Sequence, residues 1–174
     1  MTRVSVGMMT VVLLAAATAG WAQHGGHPPD TGVEPHRRLK ACATESDAVL
    51  REGFGAGLAF AADENGYPGP VHVLELKDRL ALTSEQHAKM TALRDAMFAR
   101  ARPASARLLD AEARLATLFA AGRADEPSVR AAVAQIEAAR TEVRLAHLLT
   151  HLSTHDTLTA TQRRTYHTLR WGPG

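Results

Sequence analysis

The sequence predicts an all-α fold: an antiparallel helical hairpin, elaborated towards a four-helix bundle-like cradle, with a kinked long helix. Three observations predict it. A helix start signal occurs twice, at Leu82-Thr83-Ser84-Glu85-Gln86 and Leu158-Thr159-Ala160-Thr161-Gln162. Apolar residues then recur at three- and four-residue steps, the period of one helix face. Aromatic residues make up only 5% of the 174 residues, and abundant Ala, Leu, Arg and Glu favour helix over sheet.

The start signal is a capping box. The Thr hydroxyl accepts from the amide three residues on, and the Gln side chain at that position returns to the Thr amide. Leu82, Thr83 and Gln86 form one copy, and Leu158, Thr159 and Gln162 the other. The duplication runs further, because Met90, Leu93 and Arg94 stand at the same offsets from Leu82 as Tyr166, Leu169 and Arg170 from Leu158. A staple partner for either Leu would fall at His87 or Arg163, and neither is apolar, so Leu82 and Leu158 are expected to pack against another helix.

Residues 1–22 read as a secretory signal peptide. Arg3 precedes the apolar run Val11 to Ala17, and small residues at Ala17, Ala19 and Ala22 place cleavage after Ala19 or Ala22. The run is shorter than the roughly 20 apolar residues of a spanning helix, so no integral membrane segment is expected after cleavage. Residues 23–45, rich in Gly, Pro and His, read as a flexible tail whose His24, His27 and His36 are either weak metal ligands or incidental. Cys42 is the single cysteine, so an intrachain disulfide is excluded and a free thiol is expected.

The helical domain is expected over residues 46–171. A first helix between Ser46 and Asn65 would carry Val49, Leu50, Phe54, Leu58 and Phe60 inward, with close packing across Gly53 and Gly57. Asn65-Gly66 stops it and Tyr67-Pro68-Gly69-Pro70 turns the chain. Pro70 opens a short helix with Val71, Leu74 and Leu80 on one side. His72 and Glu75, three apart, share a face, as two metal ligands or as a surface pair.

The first capping box opens the longest helix, Ser84 to about Ala121. Met90, Leu93, Met97, Ala101, Ala104, Leu108, Ala111, Leu115 and Leu118 form its stripe, and Pro103 predicts a kink or break near Ala99 to Arg102. Gly122 ends it, and Asp125 or Glu126 with Pro127 starts a helix to about His155. On that helix Val129, Val133, Ile136 and Val143 share one face, whereas Leu145, Leu148, Leu149 and Leu152 lie largely opposite. His147, His151 and His155 enter the phase the valines vacate, beside Arg140 and Arg144. Four-residue steps let two imidazoles converge on one ion, with further ligands from His72, Glu75, His167 or a second subunit. The alternative is a polar, solvated or client-facing surface. The last helix spans Leu158 to Leu169, with Tyr166 and Leu169 inward.

The formal charge of +2 is spread among interspersed acids and bases, so no nucleic-acid-binding stripe forms. The usual catalytic constellations are missing, and the chain is read as a non-enzyme.

Two Leu-Thr-x-x-Gln copies at helix starts in a small exported chain resemble the Spy and CpxP type of periplasmic protein, a group that includes zinc-resistance-associated and nickel/cobalt-sensing proteins. The resemblance spans about Val49 to Trp171, through Tyr67-Pro68-Gly69-Pro70, Leu118-Phe119-Ala120 and Leu145-Ala146-His147-Leu148. It implies a periplasmic stress-response protein, a homodimeric cradle that binds unfolded or stress-related polypeptides without ATP, or the periplasmic domain of a sensor kinase. Arg140, Arg144, Met90 and Met97 are expected near that surface. The relatives also allow a heavy-metal sensor or buffer, with zinc, nickel or copper on His147 and His151, although no cofactor is required.

Overall fold

The computed structural model describes residues 46–172. The signal-peptide and tail expectations, including Cys42, His24, His27 and His36, lie outside the described residues.

Among the described residues the regular elements are helices: α1 over residues 46–51, α2 Phe60–Glu64, α3 Pro70–Glu75, α4 Ser84–Ala120, α5 Glu126–Thr157 and α6 Ala160–Trp171. The single first helix expected between Ser46 and Asn65 is two, because the chain turns at positive φ through Gly53, Ala56 and Gly57. Gly53 does approach a helix closely: a Cβ there would lie 2.7 Å from Arg102 Cγ. Gly57 has open space around it, so the close packing expected at that position does not occur.

Both capping boxes form with both reciprocal bonds, and Asp125 with Ser128 makes a third at the start of α5. α4 and α5 are the hairpin. Contacts from Arg100 to Thr150, Arg107 to Glu142 and Arg140 to Glu112 descend one helix as they climb the other, which makes the pair antiparallel. α4 runs unbroken through Pro103, so no break occurs near Ala99 to Arg102. The reason is positional. Pro103 itself is exposed, while Ala101, Ala104, Ser105 and Leu108 beside it are buried and hold the helix in place.

Two apolar clusters form. Leu50, Ala104, Leu108, Ala111, Ile136, Ala139 and Val143 fill the first, between the long helices. Val73, Leu80, Met90, Leu158 and Tyr166 fill the second, where α3 and α6 meet the start of α4, with Leu74, Leu82 and Leu93 packed against it. Leu82 and Leu158 therefore pack across helices, as expected. On the short third helix the fully buried residues are Pro70 and Val73, with Val71 and Leu74 only half-buried.

The two capping glutamines meet. Gln86 Nε2 donates to Gln162 Oε1 and Gln162 Nε2 donates to Gln86 Oε1, each at 2.9 Å. The remaining proton of each amide goes to a backbone carbonyl, Thr157 O at 3.1 Å and Leu80 O at 3.2 Å. Each Oε1 also accepts from its own threonine amide. The duplicated motif is thus a joint that ties the start of α4 to the start of α6.

Candidate functional site

Between the two clusters, α5 buries polar groups. Its interior face continues in one phase from Ile136, Ala139 and Val143 to Ala146, His147, Thr150, His151 and Thr154. His147 and His151 are 5% and 7% exposed. They sink this deep because backbone without side chains covers them. A Cβ on Gly55 would lie 3.1 Å from His147 Cδ2, and one on Gly69 2.9 Å from His151 Nε2. The Tyr67-Pro68-Gly69-Pro70 turn aims the Tyr67 carbonyl at His151 Nδ1, 2.6 Å away. A carbonyl only accepts, so Nδ1 carries the proton and Nε2 of the neutral ring keeps its lone pair.

Burial lowers the pKa of both rings. For His147 desolvation is the largest cause and a charge on His151 adds to it, against the Gly53 carbonyl. For His151 desolvation again leads, opposed by the Tyr67 carbonyl and Asp63. Both imidazoles are therefore held neutral near neutral pH. His147 Nε2 is buried and has no hydrogen-bond partner.

Both rings line a cavity of about 450 Å³. Phe54, Phe60, Val71, Met97 and Trp171 give it apolar walls, and Phe60 stacks edge-on against Trp171 with centroids 5.4 Å apart. Asp63, His72 and Arg170 line its polar side. Tyr166 donates its hydroxyl to Asp63 Oδ1 at 2.5 Å, and Arg170 Nε donates to Asp63 Oδ2 at 2.7 Å. Arg170 also donates to His72 Nε2 at 2.9 Å, which leaves His72 Nδ1–H to donate to Glu75 at 3.0 Å. Burial, then the bond to Asp63, drives the Tyr166 pKa far up, so the phenol stays protonated.

The candidate ligands therefore separate. His147, His151 and His72 reach one cavity, but Glu75 and His155 do not line it. His155 stacks on the Tyr67 ring at 4.5 Å and bonds Asp156, and His167 faces the Glu64 carbonyl. Among the described residues no group of three or more His, Cys, Asp or Glu side chains is placed to hold an ion. The expected client-surface residues separate too. Met90 and Met97 are buried at 0% and 2% exposure, which corrects their placement at a surface: both belong to the inward stripe of α4. Arg144 is exposed, and Arg140 is tied to Glu112 and Glu137.

Gly55, Gly69 and Asp63 are the site residues that sequence reasoning missed. No local pattern marks Asp63, whereas Tyr166 and Arg170 were visible as matched positions of the repeat.

Neither a curated protein nor a solved structure matches the chain. A family model described as heavy-metal resistance matches residues 53–165, well over half of the sequence. That span begins at the Gly53 turn, takes in both long helices and ends within α6, covering both capping boxes on which the resemblance was read; the chain belongs to the heavy-metal resistance family.

Proposed function

We propose that this is a periplasmic, non-enzymatic binding protein of the heavy-metal response, which holds unfolded or stress-related polypeptides without ATP. One observation carries the reading. Leu145, Leu149 and Leu152 are 47%, 49% and 49% exposed along one side of α5, turned away from its buried face. A hairpin two helices thick buries one side of each helix, and an apolar strip left over calls for a polypeptide or a second copy of the chain to cover it. Arg144 lies beside the strip and adds a cation for acidic segments. A sensor kinase's periplasmic domain would be one such polypeptide.

The test is suppression of aggregation of an unfolded client by the purified protein. Changing Leu145, Leu149 and Leu152 together to Gln is expected to abolish suppression while leaving the helical circular dichroism unchanged. Full suppression by a folded triple variant would overturn the reading.

The family's description favours a second reading, a sensor or buffer of zinc, nickel or copper. The described residues do not fit a resident ion. His72 has both ring nitrogens engaged, His151 has one nitrogen on the Tyr67 carbonyl, His147 Nε2 is enclosed, and among the described residues no group of three His, Cys, Asp or Glu side chains is placed to hold an ion. Titration with each ion checks this. Tight saturable binding lost in His147→Ala plus His151→Ala would make the metal reading the right one.

A further inference from the structure

We propose that the cavity between the two apolar clusters is a binding site for a small, uncharged, aromatic molecule that carries one hydrogen-bond donor, a phenol or an N–H heterocycle. Its volume of about 450 Å³ falls in the range of small-ligand pockets, about 300–1,000 Å³. Phe54, Phe60, Met97 and Trp171 supply apolar and aromatic walls suited to a flat ring. The unspent polar capacity is of one kind. His151 Nδ1 must donate to the Tyr67 carbonyl, so its Nε2 is a bare acceptor, and His147 Nε2 is a buried atom without a partner. A buried polar atom left unpaired is costly, and a ligand donor relieves that cost.

Two of the charges facing the cavity, Asp63 and Arg170, are matched to each other, and Glu52 also lines it. Asp63 is held by Tyr166 and Arg170, and Arg170 by Asp63 and His72. An anion would have to displace Asp63 from Arg170, and among the described residues a metal ion finds no group of three ligands. A neutral donor disturbs neither arrangement. The turn residues Gly55, Ala56 and Gly57 line the cavity, with Gly55 against His147.

Calorimetric titration of the metal-free purified protein near neutral pH tests the proposal with three probes: 2-naphthol, 2-methoxynaphthalene and 2-naphthoate. The expected result is saturable binding of the naphthol, with the ether and the carboxylate at least about tenfold weaker, as the loss of one hydrogen bond predicts. Ala59→Phe, which fills the cavity, should abolish binding with an unchanged thermal melt. His151→Phe should erase the preference for naphthol over ether. The wild-type comparison of naphthol with ether stands even if His151→Phe fails to fold. No saturable naphthol binding, equal binding of the ether, undiminished binding by folded Ala59→Phe, or heat only with zinc, nickel or copper would each overturn the proposal.

Discussion

At the scale of single residues, the glutamine pair explains why the start signal occurs twice. One capping box needs only its own Thr and Gln, and satisfies two amides of one helix. Here each glutamine uses its second lone pair and both amide protons on the other copy, so every hydrogen-bonding position of the two side chains is filled. Filled networks of this kind couple their members. Gln86→Ala should cost about 1–3 kcal/mol, because it strips one partner from each end of Gln162 and leaves the Thr157 carbonyl without its donor. Gln162→Ala should cost as much. The double variant should cost clearly less than the two losses added, with a coupling of about 1 kcal/mol or more. Urea unfolding of the four proteins measures that coupling, and simple additivity would show that the two caps work alone.

At the scale of elements, the starts of α4, α5 and α6 were legible because capping chemistry is local, written within four residues. The buried face of α5 was only half legible. Hydropathy shifts from Val129, Val133, Ile136 and Val143 to the leucines opposite, and burial does not follow it. The helix keeps one phase towards the interior and changes what it buries, from aliphatic side chains to threonines and imidazoles. Two glycines more than 80 positions earlier in the chain make room for those rings, and a carbonyl at Tyr67 holds one of them. Such distant backbone partners leave no periodic trace near residue 147. Pro103 shows the same limit from the other side. Proline disfavours a helix interior by about 3 kcal/mol relative to alanine, yet tertiary packing of its neighbours keeps α4 whole. Since Pro103 is exposed and its ring supports no core contact, Pro103→Ala should regain a backbone bond to Ala99 and stabilise the protein by about 1–3 kcal/mol. The check is a higher urea midpoint with an unchanged slope.

At the scale of the whole molecule, two apolar clusters are joined through a zone of small and polar residues, and that zone sets how stability responds to acid. His147 and His151 have folded-state pKa values below the ordinary 6.5, mainly through burial. The unfolded chain therefore binds protons that the folded chain refuses, and stability rises with pH across that window. The contribution is complete above about 6.5, begins to be lost as pH falls below it, and goes on falling until the depressed folded values are reached. Each histidine can remove up to about 1.4 kcal/mol per pH unit inside the window. Asp125 acts in another range: its hydrogen bonds from Ser128 lower its pKa from 3.8, so its share is lost only at stronger acidity. Urea midpoints measured from pH 7.5 down to 5 should therefore drop in the wild type, with the loss starting in the histidine range. In a folded His147→Asn plus His151→Asn variant the profile should be nearly flat down to about pH 5, where carboxylates begin to titrate. Equal slopes in the two proteins would mean that other groups carry the acid response, and that the zone between the clusters is open enough for both rings to be protonated without loss of the fold.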